Sequence, residues 1–241
     1  SLLLAALTGC GAANTTSSSG SASSSTSVSA SSNSAKKHTS FFVKDNGDGT
    51  KVIKDIDGKE VTVPTNPERI ADLWHANNQV VLLLGGAEKL VSTTTAVKSL
   101  AWFKQVYPGI EKVDAPVKGT DVNMEQLLAD KPEVLLASSK DQISKATEAG
   151  IPAVHVEFQN FADLKRTVEL TAEVIGTDEA IERAEKYLAY LEKNENLIKE
   201  RLQGVTESPK VLHIAGGSDL TKVDGSNSLI GEWMKLSGAK N

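Results

Sequence analysis

Apolar residues recur every three or four positions through a long polar stretch of the chain, and this pattern predicts a long helix. After Asp178 the repeating positions are Ile181, Ala184, Leu188, Leu191, Ile198 and Leu202. This is the spacing of one helix face, interrupted at Glu195. Thr177 is suited to cap the N-terminus, and Gly204 marks the end of the helix.

Two roles are open for this helix. At about 1.5 Å per residue it would be a rod of roughly 35–40 Å, the width of a small domain. Strand and helix patterns alternate on both sides of it, so we expect a strut that joins two α/β regions. The alternative is a large crossover helix inside one domain. A shorter amphipathic helix, from Phe161 to Ile175, precedes it and completes a helical connector over residues 161–204.

Before the connector, short apolar strands alternate with amphipathic helices, which predicts a mainly parallel sheet with helices on both faces. The expected strands are residues 51–55, 59–63, 70–73, 89–93, 133–137 and 151–156, and the expected helices are 77–84, 121–130 and 141–149. The first two strands flank Ile56-Asp57-Gly58, which is typical of a hairpin turn. Residues 45–49 lack the acidic spacing of a calcium loop and predict a polar turn.

After the connector, residues 210–215 predict a strand and residues 228–236 a helix. One strand–helix unit cannot bury a sheet, so we expect poorly covered apolar surface here and a natural chain longer by on the order of 100 residues. The expected fold is therefore α/β, with two Rossmann-like lobes of mainly parallel sheet joined by one long α-helix. Residues 41–160 would form the N-terminal lobe, and residues 205–241 would begin a truncated second lobe.

Composition narrows the function classes. The chain has 241 residues, a net charge of −5 and 39% hydrophobic residues, which suits one or two soluble domains. The mild acidity and the lack of a basic patch with interleaved aromatic residues argue against a nucleic-acid partner. No apolar run reaches the roughly 18 residues that span a bilayer. We expect a monomer.

The single cysteine, Cys10, ends an apolar run that is typical of an export signal. The motif Leu7-Thr8-Gly9-Cys10 resembles the bacterial lipobox, in which the cysteine sulfur carries a diacylglycerol. Residues 1–10 would then be the remnant of a signal peptide that has lost its beginning, and residues 11–40 a Ser-rich flexible linker. The alternative is a small buried cysteine in an N-terminal helix. A lipid anchor predicts an extracytoplasmic protein held at the bacterial cell membrane.

Three stretches resemble a known family. They are residues 62–70 (TVPTNPERI), 124–128 (MEQLL) and 131–136 (KPEVLL), in that order along the chain. Together with the lipobox and the long helix, they resemble the substrate-binding lipoproteins of iron–siderophore, haem and cobalamin ABC importers. The resemblance implies two lobes joined by one rigid helix, a ligand cleft between them and little closure on binding.

Ligands of open α/β sheets bind beyond the carboxyl ends of the strands. This rule selects Trp74, His75, Asn77, Thr94, Ser138, Ser139, Gln159, Gly217, Ser218 and Asp219 as candidate ligand-binding residues. Trp74 offers a flat face to a chelate, and a neutral His75 imidazole is a suitable ligand for iron, nickel or cobalt. The alternative is a Trp packed under a loop and a His that caps a helix.

Other histidines and aromatic residues have simpler interpretations. His155 and His213 lie inside apolar segments and are expected in the core or at a sheet edge. The cluster of Trp102, Phe103 and Tyr107 would pack an irregular connection or line the cleft, and we favour packing.

Glu125 is a candidate for docking. It follows the expected helix cap Asn123, and it should point outward because Met124, Leu127 and Leu128 fall on the apolar face. In the family that the chain resembles, a glutamate at this position and one in the other lobe bind arginines of the membrane permease. The alternative is a first-turn acid that stabilises the helix dipole by a few tenths of a kcal/mol.

The resulting interpretation is a tethered receptor that captures a metal chelate and passes it to an ABC permease, with no intrinsic cofactor. A free-metal receptor for zinc or manganese is an alternative, with ligands from His75, His155, His213 and Asp219. The other alternative is an extracytoplasmic α/β enzyme. The chain lacks a G-x-S-x-G elbow, an H-E-x-x-H zinc motif and a His–Cys pair, which argues against it.

Overall fold

The computed structural model describes residues 37–119, 121–215 and 219–241. Its strands are β1 (Phe42–Asp45), β2 (Thr50–Lys54), β3 (Glu60–Pro64), β4 (Ile70–Asp72), β5 (Leu90–Thr94), β6 (Asp114–Lys118), β7 (Asp121–Val122), β8 (Val134–Ala137) and β9 (Ala153–His155). Its helices are α1 (His75–Leu83), α2 (Thr95–Ser99), α3 (Ala101–Val106), α4 (Met124–Ala129), α5 (Lys140–Glu148), α6 (Phe161–Ile175), α7 (Asp178–Arg201) and α8 (Leu229–Leu236).

The larger sheet has the strand order β7-β6-β5-β4-β8-β9, and its pairs are parallel except for that of β6 with β7. The predicted mixed α/β fold with a mainly parallel sheet is confirmed. From β4 the chain first builds the sheet to one side, through β5 and β6. It then returns to build the other side through β8 and β9. The topological switch point therefore lies between β4 and β8.

Helices cover both faces of this sheet, as the buried strands require. On β8, Leu136 packs into a core that contains residues of α1, α6 and the hairpin, whereas Leu135 packs into a second core with Leu127 of α4 and Ala146 of α5. The alternation follows from the opposite directions of successive side chains on a strand.

A separate antiparallel sheet of β1, β2 and β3 precedes the parallel one. The predicted hairpin is confirmed, with Lys54 paired to Glu60 next to the turn. β1 was not predicted. The polar turn between β1 and β2 is closed by side-chain acceptors, with Gly47 N donating to Asp45 Oδ1 at 2.7 Å and Thr50 N donating to Asp48 Oδ1 at 3.0 Å.

The two connector helices form where the apolar pattern predicts them. Thr177 caps α7 by accepting a hydrogen bond from Ala180 N at 3.1 Å. Glu195, which interrupts the apolar stripe, forms an ion pair with Lys165 Nζ of α6 at 2.8 Å. The first turns of α7 are buried, whereas Tyr190 and Leu197 further along are exposed. Whether α7 is a strut between two lobes stays a prediction.

The folded part of the chain begins before the predicted Phe41. Thr39 N donates to Glu173 Oε2 of α6 at 2.8 Å, and His38 Nδ1 lies 3.0 Å from Glu173 Oε1. The linker predicted over residues 11–40 is therefore too long at its C-terminal end, because these polar residues satisfy a buried carboxylate. Cys10 and the rest of that linker up to residue 36 lie outside the described residues. No helix in the described part is both long and apolar enough to cross a membrane.

The prediction of a strand over residues 210–215 is wrong. The described part of this segment forms the isolated bridges Lys210↔Lys240 and Ile214↔Val223, because it has no neighbouring strand to pair with there. α8 forms as predicted. Apolar side chains around it are exposed, among them Leu212, Leu220 and Trp233.

Candidate ligand-binding site

A cavity of about 280 Å³ lies at the carboxyl ends of the parallel strands, beside the switch point. It is lined by five of the predicted residues: Trp74, His75, Thr94, Ser138 and Ser139. Thr95, Gln142 and Gly119 also line it. The strand-end rule covers Thr95, which directly follows β5. Gln142 in the first turn of α5 and Gly119 in the turn after β6 were not predicted, and a wider application of the same rule would have found them.

Helix N-termini surround this cavity. α1 begins at His75, and α5 begins after Ser139, whose Oγ accepts a hydrogen bond from Gln142 N at 3.5 Å. Thr94 Oγ1 caps the short α2 by accepting from Val97 N at 3.2 Å. Both capping hydroxyls retain a proton to donate. Among the described residues, no acidic side chain lines the cavity wall. The backbone N–H groups of the first helical turns, the positive helix ends and the hydroxyl donors together favour a ligand with negative or acceptor atoms.

Trp74 and His75 both reach this cavity. Trp74 is half-buried, with its ring centroid 4.8 Å from that of Phe158, and His75 is exposed. Neither side chain is buried in the core, which would have excluded contact with a ligand. Their roles as ligand contacts, and that of His75 as a metal ligand, stay predictions.

A network of buried, hydrogen-bonded polar side chains lies next to Trp74. Asp72 is fully buried, and its Oδ1 accepts from Trp74 N at 3.1 Å. Its Oδ2 accepts from Asn77 Nδ2 at 3.0 Å, and Asn77 Oδ1 accepts from Thr171 Oγ1 at 3.0 Å. Burial raises the pKa of Asp72 well above its ordinary value, and the hydrogen bonds from Trp74 and Asn77 offset part of that rise.

The structure contradicts the ligand role predicted for Asn77. Its side chain is fully buried, and both of its polar atoms are bonded inside the protein. Residues two apart on an α-helix point about 200° apart, so the helix that presents His75 at the cavity turns Asn77 into the core.

Other predicted contacts lie elsewhere. Gln159 is exposed and donates to Glu157 Oε1 at 3.0 Å, away from the cavity wall. Asp219 accepts from Thr221 N at 3.0 Å; the hydrogen bonds from Thr221 lower the pKa of this carboxyl. Asp219 does not line the cavity either. Gly217 and Ser218 lie outside the described residues.

The remaining histidines do not converge with His75. His155 is buried, as predicted, and its Nδ1 lies 3.0 Å from Asp57 Oδ2. His213 was predicted in the core or at a sheet edge. It is instead exposed beside Asp224, because its segment forms no sheet. In the described ranges, no three His, Cys, Asp or Glu side chains are placed to hold a metal ion.

In the predicted aromatic cluster, Phe103 is buried and Trp102 is partly exposed at the surface. Phe103 is fully buried, as expected for packing. Trp102 stacks on it at 3.8 Å between centroids and is 37% exposed. Trp102 and Phe158 line an apolar groove of about 720 Å³ between α1, α3, α6 and α7. This groove was not predicted.

Glu125 is exposed on α4, as predicted. Asn123 caps this helix by accepting from Gln126 N at 3.1 Å. Leu128 was predicted to face inward, but it is 46% exposed because the short helix buries Leu127 instead. Glu125 and Leu128 are one turn apart and therefore share an exposed face.

Solved structures show the same fold. A periplasmic solute-binding protein from Veillonella parvula superposes with a TM-score of 0.67 and 24% identity, over 80% of this chain and 60% of that one. The molybdate-binding protein MolA of Haemophilus influenzae, solved with molybdate bound, gives a TM-score of 0.67 and 22% identity, over 79% of this chain and 65% of that one. Helicobacter pylori CeuE, in complex with Ni-His, gives 0.63 and 18% identity, over 80% of this chain and 62% of that one.

Sequence comparison agrees. The chain is 24% identical over 199 residues to YvrC of Bacillus subtilis, an uncharacterized ABC transporter substrate-binding lipoprotein, covering 78% of this chain and 60% of YvrC. It is also 24% identical over 216 residues to MolA, covering 79% of this chain and 60% of MolA. The chain thus spans about 60% of the length of these curated relatives. The family model described as periplasmic binding protein matches residues 70–241, and the chain therefore belongs to the periplasmic binding protein family.

Proposed function

We propose that this protein is the extracytoplasmic solute-binding protein of an ABC importer, which captures a small metal-containing solute and delivers it to the permease. The observation that carries the proposal is the cavity at the switch point of the sheet, in a chain of the periplasmic binding protein family. The relatives are transport proteins rather than enzymes, and such proteins bind the transported solute rather than a cofactor.

The proposed ligand is a metal chelate with acceptor atoms, such as an iron–siderophore, haem, cobalamin or a related complex. The helix N-termini and the hydroxyls of Thr94 and Ser139 would bind its negative groups, and Trp74 would offer a flat apolar face. MolA and CeuE carry molybdate and a nickel–histidine complex, so a metal oxyanion belongs to the same proposal. A free zinc or manganese ion has less support, because His75, His155, His213 and Asp219 are not grouped.

A ligand panel tests this proposal. Isothermal titration and tryptophan fluorescence would be measured with ferric siderophores, haem, cobalamin, nickel–histidine, molybdate and free Zn²⁺. We expect saturable binding of at least one chelate or oxyanion, with quenching of Trp74. Binding of Zn²⁺ alone, or of nothing in the panel, would contradict the proposed ligand class.

Replacing His75 with Ala should weaken binding of the solute found in that panel by about five- to tenfold, the loss of roughly one polar contact. His75 is exposed at the cavity, so the variant should fold normally. His213→Ala is the matched control, since this exposed His pairs with Asp224 and does not line the cavity. Equal affinities for both variants would remove His75 from the site.

Glu125 is proposed to bind an arginine of the permease. An exposed carboxylate can form a directional pair with Arg and also accelerate encounter. Glu125→Ala should therefore abolish most solute uptake in cells while the affinity for the solute stays unchanged. Wild-type uptake by this variant would leave Glu125 with a helix-dipole role, and Glu148→Ala on α5 provides an exposed acidic control.

Cys10 is proposed to carry a lipid anchor, on the strength of the Leu7-Thr8-Gly9-Cys10 motif and the Ser-rich segment that follows. In a bacterial host that lipidates exported proteins, Cys10→Ser should move the protein from the membrane fraction to the soluble fraction. An unchanged membrane fraction would show that something other than Cys10 holds the protein there.

A further inference from the structure

The imidazole of His155 lies where the hairpin meets the wall of the ligand cavity. Its Nδ1 is 3.0 Å from Asp57 Oδ2, in the turn between β2 and β3. Its Nε2 is 3.2 Å from the carbonyl oxygen of Ser138, in the cavity wall. The His155 side chain is only 4% exposed, so the ring itself has little contact with water.

Both of these partners are hydrogen-bond acceptors. A carbonyl oxygen has no proton, and an ionised carboxylate has none either. A neutral imidazole carries one N–H and can satisfy only one of the two contacts, which would leave two lone pairs facing each other at the other contact. The geometry is satisfied when His155 carries a proton on both ring nitrogens.

The charges around the ring identify the contact that depends on the second proton. Lys140 Nζ lies 3.2 Å from the same Asp57 oxygen. Its hydrogen bond is the largest cause of the lowered pKa of Asp57; desolvation opposes the shift and His155 adds to it. Asp57 therefore stays an acceptor. A charged acceptor holds its proton donor more strongly than a carbonyl, so a neutral His155 would keep Nδ1–H on Asp57 and lose its bond to Ser138.

Further charged groups face this junction. Glu157 Oε2 lies 3.6 Å from His155 Nε2 and would attract the imidazolium. Asp55, Lys59 and Glu148 line the adjacent cavity of about 310 Å³, and Arg166 on α6 donates to the carbonyl of Ile56 in the turn at 3.1 Å. Among these described groups, the acidic side chains, with Asp57 included, outnumber the basic ones around His155.

We propose that His155 is a positioning residue: as an imidazolium it ties the Asp57 turn to the Ser138 carbonyl, and its deprotonation releases the Ser138–Ser139 wall of the ligand cavity. The role of that wall in solute binding rests on the proposed function. The hydrogen-bond switch itself does not, so its test needs no ligand.

Nuclear magnetic resonance of the full chain tests the switch directly. Long-range ¹H–¹⁵N spectra report whether each imidazole nitrogen carries a proton, and His155→Gln identifies the His155 signals. We expect both nitrogens of His155 to carry a proton at the lowest pH of the series, because both face hydrogen-bond acceptors. As the pH rises, Nε2 should lose its proton, and the backbone amides of Ser138 and Ser139 should shift with the same midpoint. A neutral ring at that pH, or Ser138 and Ser139 signals that do not follow the ring, would overturn the proposal.

Asp57→Asn is the matched variant, and it should fold normally because the Asp57 side chain is half-exposed. The Asn amide can donate to Nδ1, so a neutral His155 can satisfy both contacts with its proton on Nε2. The Ser138 and Ser139 amides should then become independent of the state of the ring, with their pH-dependent shift reduced about fivefold or more. If they titrate as in the wild type, Asp57 does not keep the proton of the neutral ring on Nδ1, and the proposal fails. If the switch is present but no solute binds, the proposed function alone fails.

Discussion

Replacing Glu173 with Gln is expected to lower the free energy of unfolding by about 3–5 kcal/mol, the usual cost of removing one partner of a buried ion pair. Lys51 and Glu173 are both fully buried, and Lys51 Nζ lies 2.9 Å from Glu173 Oε1. Gln would remove the negative charge that lies against the ammonium group of Lys51 in the core. Urea denaturation followed by circular dichroism at neutral pH measures the loss.

Two controls separate this buried pair from an ordinary one. Glu179→Gln removes the partner of exposed Arg183 and should cost no more than about 1 kcal/mol. The double variant Lys51→Met with Glu173→Leu removes both charges and should lose less stability than Glu173→Gln alone. A double variant as unstable as the single one would show that packing, rather than the loss of the Glu173 charge, sets the change in stability.

The Lys51–Glu173 ion pair should also make the stability of the protein depend on pH. Burial would raise the pKa of Glu173, but the charge of Lys51 and hydrogen bonds from Thr39, Lys51 and His38 outweigh it and lower the pKa. A carboxyl group whose pKa is lower in the folded protein than in the unfolded chain stabilises the fold at pH values above its unfolded-state pKa. This stabilisation is lost as the pH falls through its folded-state pKa. The stability difference between the wild type and Glu173→Gln should therefore shrink below about pH 4.

This ion pair shows the limit of sequence reasoning here. The apolar period predicted α6 and the alternation predicted β2, yet nothing in either pattern indicates that two charged residues 122 positions apart would meet in the core. Long, regular elements were predictable because many residues repeat one spacing. β6, β7 and α2 were not, since two to five residues carry too little pattern.

The candidate site was partly predictable for a geometric reason. The rule of strand carboxyl ends depends on chain order alone, and three of the residues it selected, Trp74, Thr94 and Ser138, line the cavity. It cannot say which way a side chain turns once a helix begins, and so it failed at Asn77. Similarly, residues 210–215 have a strand-like composition, but a strand also needs a neighbour.

Asp72→Asn is expected to stabilise the protein at neutral pH, although it alters a fully buried residue next to the site. Burial raises the pKa of Asp72, so the folded state keeps a proton that the unfolded chain loses above about pH 4. The stabilisation from protonated Asp72 is fully present below the pKa that this carboxyl has in the unfolded chain. It is lost as the pH rises toward the higher pKa in the folded protein. An Asn side chain has no such proton to lose. Its advantage over Asp should grow by about 1.4 kcal/mol for each pH unit while the folded acid stays neutral.

The hydrogen-bond network can accept this change. The Oδ1 atom of an Asn side chain at position 72 would still accept from Trp74 N, and its amide could donate to Asn77 Oδ1 if the Asn77 amide flips to donate to Thr171 Oγ1. Thermal and urea unfolding of both proteins at about pH 4, 6 and 8, which span the range above the ordinary pKa of Asp, give the test. We expect near-equal stability at the lowest pH and a more stable variant at the highest, whereas Asp45→Asn in exposed β1 should stay within about 0.5 kcal/mol of the wild type throughout. A variant that is equally destabilised at every pH would mean that Asp72 is ionised in the folded protein.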